Sequence, residues 1–286
     1  MKAHPSVLRH LHPSHPSSRR RVCRLVAFCS ALWVEVAPVE AGFEIDDPSS
    51  FLLPFATPLS IGSNPAGLPG PECWRWHLGH QVPFGLRELG AHHFATAVSG
   101  RRWGVGSGFS LRGPDRYRET AAWLGCGVGA TSSLTVGAAV HYLQVSGMDL
   151  STSGAAGFSG GLRLQLTPAV EIDAWYRAAV DDLARPRLHL RVLHFLGQES
   201  TAQAWLSRQG HRRTPGSTQP ARLDLAAGGR VHQQLWLFLG TRSDPRQFAA
   251  GGRVTAGRQF FDYRVHSHAA LGASHSAIIG RSCERR

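Results

Sequence analysis

From residue 74 onward the chain never stays apolar for long. Its apolar residues come in stretches of about nine to twelve, broken by Gly, Pro, Asp or Ser. Inside many stretches they alternate with charged residues. Side chains on a strand reverse direction at each residue, so a period of two produces a ribbon with two unlike faces, whereas a helix needs a period near 3.6. Leu162, Leu164 and Leu166 share one face while Arg163 and Gln165 share the other. After Thr167-Pro168, Val170, Ile172, Ala174 and Tyr176 oppose Glu171, Asp173, Trp175 and Arg177. Leu188, Leu190 and Val192 then oppose His189 and Arg191, and Phe261, Tyr263 and Val265 oppose Asp262, Arg264 and His266. One face is aliphatic; the other carries full charges.

Stretches of this length cross an outer membrane when tilted. The pattern predicts fourteen strands, at 74–82, 90–99, 101–111, 117–129, 134–146, 156–167, 169–180, 187–197, 200–208, 221–229, 231–241, 245–254, 257–267 and 270–279. No segment after residue 41 approaches the roughly 20 apolar residues of a spanning helix, so a membrane form of this chain must be a closed barrel. The expected class is all-β, a transmembrane antiparallel barrel of about fourteen strands with its charged faces inward. The alternative is a soluble periplasmic β-sandwich or barrel acting as a binding module, with the charged faces in water. Glycines inside strands, among them Gly104, Gly106, Gly108, Gly125, Gly127, Gly129 and Gly137, permit bends or close packing of an internal segment against the wall. Aromatic residues near strand ends, such as Trp74, Trp103 and Tyr117, suit the headgroup level of a bilayer.

The amino terminus favours export. Arg19, Arg20 and Arg21 precede an apolar stretch through Val34, and Val39-Glu40-Ala41 offers small side chains for cleavage. Residues 1–41 therefore read as a secretory signal, 42–73 as an N-terminal plug or hatch, 74–280 as the barrel and 281–286 as a polar tail. Export of a barrel points to the outer membrane of a Gram-negative-type bacterium. With Cys23 and Cys29 in the signal, Cys73, Cys126 and Cys283 remain, an odd and widely spaced set that reads as isolated thiols, with a Cys73–Cys126 pair as the lesser alternative.

Other chemistries fail on spacing. The chain carries Lys+Arg 31 against Asp+Glu 19, yet its arginines are scattered and no nucleic-acid-binding motif accompanies them. Gly125 to Gly129 and Gly104 to Gly108 resemble phosphate loops superficially, but strand lies on both sides and no helix follows. His77 and His80 fall on opposite faces of a strand; His266 and His268 share one and would need a third ligand such as Asp262. Glu171 and Asp173 beside Arg163 and Arg177 read as an interior ion-pair network rather than a catalytic acid pair. No catalytic, cofactor or metal residue is assigned, and the chain is read as a non-enzyme. The expected interior lining is Arg163, Glu171, Asp173, Arg177, Arg191, Asp262, Arg264 and His266.

Two short motifs carry a family resemblance. Ser63-Asn64-Pro65-Ala66-Gly67-Leu68 resembles the asparagine-proline-alanine signature near the start of barrels related to the long-chain fatty-acid transporters (FadL-like), especially the PorV/PorQ-like branch found with bacterial secretion systems. Asp262-Tyr263, followed by Leu271-Gly272 and His275, is similar to that branch's usual ending. The resemblance spans about residues 47–280 and implies a fourteen-stranded outer-membrane barrel with Asn64, Pro65, Ala66 and Gly67 in an internal plug. It implies one of two roles, assisting protein secretion or transporting small hydrophobic molecules, with membrane lipid, secretion-system proteins or their substrates, or a small hydrophobic ligand as partners. The segment Phe51 to Ala56 and the ending Arg281 to Arg286 depart from that pattern.

Overall fold

The computed structural model describes residues 64–114, 116–148, 150–178, 187–197, 200–209, 221–243, 246–268 and 271–283. The expected signal and most of the expected plug lie outside these residues. The described chain begins with a 3-10 turn at Pro65–Gly67. Fourteen strands follow: β1 Cys73–Val82, β2 Ala91–Gly100, β3 Trp103–Arg112, β4 Tyr117–Gly129, β5 Leu134–Gly147, β6 Leu150–Thr167, β7 Val170–Arg177, β8 Arg187–Phe195, β9 Ser200–Gln209, β10 Arg222–His232, β11 Leu235–Ser243, β12 Arg246–Ala256, β13 Gln259–His268 and β14 Gly272–Arg281. Each strand pairs antiparallel with its sequence neighbours, and β14 returns to β1, with Leu78 opposite Ile279 and Gln81 opposite Ser276. One closed sheet replaces the two stacked sheets that the sandwich alternative requires.

Closure gives every strand two partners, which removes the unpaired edge that an open sheet exposes. At the end where β1 begins, strands are joined by tight turns such as 101–102, 168–169, 233–234 and 257–258. Gly257, at φ 62, supplies the left-handed backbone that the last of these uses. The opposite end carries the longer connections 83–90, 178–186 and 210–221.

Burial is inverted relative to a water-soluble protein. Phe158 is 61% exposed and Val140 59%, while Arg264 and Asp262 are 0% exposed. Trp74, Leu78, Val98, Trp103, Phe109, Leu124 and Ile279 stand outward with them. A contiguous apolar outer surface with charges sealed inside is what lipid, not water, stabilises. Tyr117 departs from the expected aromatic belt: it shares the inward face of β4 and donates to Glu119 Oε1 at 2.8 Å.

Three details differ from the sequence reading. β6 starts six residues earlier than expected, because the small polar run Ser151 to Gly154 still pairs with β5, Gln144 facing Gly154. The chain does not break at Arg230 between β10 and β11; Arg230 continues the ladder opposite Trp236, and the turn falls at Gln233-Gln234. Cys73 is disulfide-bonded to Cys283 across a sequence separation of 210, with Cα atoms 5.9 Å apart, while Cys126 is a free thiol on the outer surface. Spacing alone hides that pair, since only barrel closure brings the two ends of the sheet together.

Candidate functional site: the inner wall and the segment it holds

The inner wall contains a track of glycines. Gly104, Gly127, Gly137 and Gly161 are consecutive cross-strand partners on β3, β4, β5 and β6. Asn64 to Leu68 lies along this track. A Cβ added at Gly104 would meet the Leu68 carbonyl carbon at 2.5 Å, one at Gly127 the Pro65 oxygen at 2.6 Å, and one at Gly137 the Ala66 nitrogen at 2.5 Å. At Gly161 the obstructing atom belongs to the Asn64 side chain. Absent side chains thus create a shallow channel one chain deep.

The segment is held by its own polar groups. Asn64 Oδ1 accepts from the Ala66 amide at 3.0 Å, capping the 3-10 turn, and Asn64 Nδ2 donates to the Leu162 carbonyl at 3.2 Å. Pro65 starts the turn, where a missing N–H costs nothing. Arg75, inward on β1, donates to the Leu68 carbonyl at 2.7 Å and to Ser99 Oγ at 2.8 Å. Leu68 is fully buried against Ala97 and Ala139 with Trp123 alongside, and Ala66 and Gly67 are buried too.

The remaining wall is charged but largely paired. Arg163 on β6, Asp173 on β7 and Arg191 on β8 stand directly opposite one another, so the ladder itself delivers an arginine to each side of the carboxylate. Arg163 Nε lies 2.9 Å from Asp173 Oδ1 and 3.2 Å from Glu171, and Arg191 pairs with both carboxylates. Asp262 receives Arg253 at 2.6 Å and Arg264 at 3.0 Å. Asp224 receives Arg242 at 3.3 Å and Arg222 at 3.5 Å. Arg177 and His266 point inward as well, Arg177 opposite Arg187 and His266 opposite Ser274. Arg75, Arg112, Arg222, Arg242 and Arg253 were not among the expected lining. The alternation Arg222-Leu223-Asp224-Leu225 is the signal that reveals the β10 group.

Between these charges sit aromatic surfaces. Trp175 and His189, cross-strand partners, stack at 4.6 Å with planes 6° apart, and Trp205 meets Trp175 edge-on at 6.0 Å. Trp236 and Phe238 form a buried cluster with Ala226 and Ala249 on β10 to β12. The wall is therefore mixed rather than uniformly polar. Among the described residues no group of three His, Cys, Asp or Glu is arranged to hold a metal. His77 is buried inside and His80 exposed outside, while the Asp262 carboxylate is engaged by two arginines.

A closed meander of this size with an apolar outside has the fold of outer-membrane hydrocarbon channels. It is similar to the toluene transporter TbuX of Ralstonia pickettii, at 15% identity and a TM-score of 0.61, covering 78% of this chain and 92% of that one. The toluene transporter TodX of Pseudomonas putida matches at 13% identity and 0.60, covering 77% and 91%, and the monoaromatic hydrocarbon channel CymD at 13% and 0.61, covering 80% and 93%. A Pseudomonas aeruginosa FadL homologue matches at 10% identity and 0.55 over 78% and 92%. No family model matches the chain, and no curated protein matches it by sequence.

Proposed function

We propose that the chain is a FadL-like outer-membrane conduit for small hydrophobic molecules, with Asn64 to Gly67 forming part of a plug inside the barrel. The observation that carries this reading is a buried segment seated on a glycine track within a closed sheet whose outside is apolar. A purely structural barrel has no need to reserve four aligned wall positions for a chain segment. The solved barrels of like fold are described as toluene transporters and monoaromatic hydrocarbon channels, which supports the cargo class. Tight turns lie on the periplasmic side of bacterial barrels and longer connections outside. By that rule the plug and the disulfide are periplasmic, and cargo enters from the end carrying 83–90, 178–186 and 210–221.

Uptake of radiolabelled toluene by cells whose outer membrane holds the full-length protein should exceed that of cells holding an unrelated closed barrel. Equal uptake at equal insertion would overturn the conduit. A second reading, docking of secreted proteins in the manner of the PorV/PorQ-like branch, is favoured by the charged inner wall and the two terminal motifs. A secretion partner co-purifying with the barrel, with no effect of the barrel on toluene uptake, would select it.

A further inference from the structure

On the inner faces of β14, β1 and β2, neighbouring side chains hold polar atoms with no hydrogen-bond partner among the described residues: both ring nitrogens of His77, Nε2 of His93, Oε1 of Gln81 and Oγ of Ser276. His77 is 0% exposed, Ser276 2% and His93 3%. The ladder gathers them. Gln81 is directly opposite Ser276, and His93 is opposite Gly79, the inward residue between His77 and Gln81. A Cβ at Gly79 would run into the His93 ring, so that imidazole reclines over β1, edge-on to His77 with ring centroids 5.9 Å apart. Beside them lie two apolar side chains: Ile278, opposite Gly79, and Phe260, whose ring fills the space over Gly280 next to His77. The β1–β2 connection lies across the upper end of this patch. Ser274, the next inward residue from Ser276 toward the longer connections, accepts from the Phe84 amide at 2.9 Å, and the Phe84 ring meets His268 at the end of β13 edge-on at 5.5 Å. Phe84 holds φ 53, a left-handed backbone that a residue with a Cβ disfavours. The connection is thus drawn over β14 in a strained form.

We propose that this patch is a binding site for neutral, hydroxyl-bearing aromatic molecules of the phenol class, reached when the Phe84 connection lifts. The proposal rests on the conduit reading above and narrows its cargo. A buried polar atom without a partner is costly, so a ligand that supplies the partner is held there. Gln81 Oε1 only accepts, and a neutral imidazole has one N–H to give and one lone pair to fill. A hydroxyl both donates and accepts, and so meets both needs. A carboxylate brings no proton to Gln81 or to the imidazole lone pairs, and a hydrocarbon brings no polar group at all. Arg264, opposite Ser276 on β13, sets positive charge beside the patch, which disfavours a metal ion or an ammonium group. Phe260 and Ile278 offer the aromatic ring an apolar contact.

The probes are p-cresol, toluene and p-toluate, which share one methyl-bearing ring and carry opposite the methyl a hydroxyl, nothing or a carboxylate. Calorimetric titration of the full-length protein in detergent, corrected for micelles alone, should show p-cresol binding about 10-fold or more tightly than the other two, a ranking that needs no variant. His77→Phe, Gln81→Leu and Ser276→Ala should each weaken p-cresol about 5-fold or more while leaving toluene unchanged. Phe84→Gly, which removes the strained backbone and the ring together, should speed p-cresol binding in stopped-flow fluorescence by about 5-fold or more. Equal binding of p-cresol and toluene would overturn the hydroxyl site yet leave the hydrophobic conduit standing, since toluene uptake tests that separately. Tightest binding of p-toluate would overturn the neutral cargo. A preference for p-cresol that survives all three substitutions in the patch would overturn its assignment to these residues, and an unchanged rate in Phe84→Gly would overturn the lifting connection. No binding of any probe, together with uptake of toluene equal to that of the control barrel, would remove both the site and the conduit.

Discussion

A glycine and a carboxylate show how single residues set this interior. Gly137 and Gly160 are both glycines on paired strands, yet Gly137 faces the buried segment and Gly160 faces outward, with only a backbone oxygen 3.8 Å from where a Cβ would sit. Gly137→Leu should therefore expel Asn64 to Leu68 from its seat, raising both protease cleavage near residue 68 and bilayer conductance. Gly160→Leu should change neither. Asp262 is wholly buried between Arg253 and Arg264. Asp262→Asn would remove the carboxylate charge that two buried guanidiniums share, a loss of about 3–5 kcal/mol measurable by denaturant unfolding of the inserted protein. Asp262 and Arg264 were legible in the sequence because they alternate with Phe261, Tyr263 and Val265. Arg253 was not, since the flanking Gly251, Gly252 and Ala256 blur the period of two on β12. The seat at Gly161 was hidden for a similar reason: what makes it a site is the Asn64 side chain, almost a hundred residues away.

At the scale of elements, strand number and facing were the most readable features, because a charged-in, apolar-out ribbon tolerates no slip: a shift by one residue would turn every arginine into lipid. Boundaries were less so. The break between β10 and β11 was expected at Arg230, and Ser151 to Gly154 were expected ahead of β6, but the ladder extends wherever a neighbour offers hydrogen bonds. Facing can be tested by depth. Phe158→Arg, near the middle of β6 on the outer face, should lower stability in lipid vesicles by about 2–4 kcal/mol. Leu166→Arg, on the same face at the strand end, should cost about 0–1 kcal/mol, since charge near the interface stays hydrated. Equal costs at the two positions would show that the outer face does not follow a bilayer profile.

For the molecule as a whole, the native N-terminus is expected at or near Gly42 by mass spectrometry of protein from its own membrane. A non-reducing digest should contain one peptide linking Cys73 to Cys283, and alkylation before reduction should modify Cys126 alone among these three. That cystine has a mechanical consequence. It joins the start of β1 to Cys283, two residues beyond the end of β14, so the chain that enters the sheet and the chain that leaves it meet at one covalent node. Tension applied between the two termini passes from Cys73 to Cys283 through two sulfurs and bypasses all fourteen strands. A pull on the N-terminal segment can thus work on Asn64 to Leu68 while the hairpins carry no load. In single-molecule stretching from the ends, the oxidised protein should conceal the contour of the 210 residues between the cysteines, about 700 Å, and release it only once dithiothreitol is added.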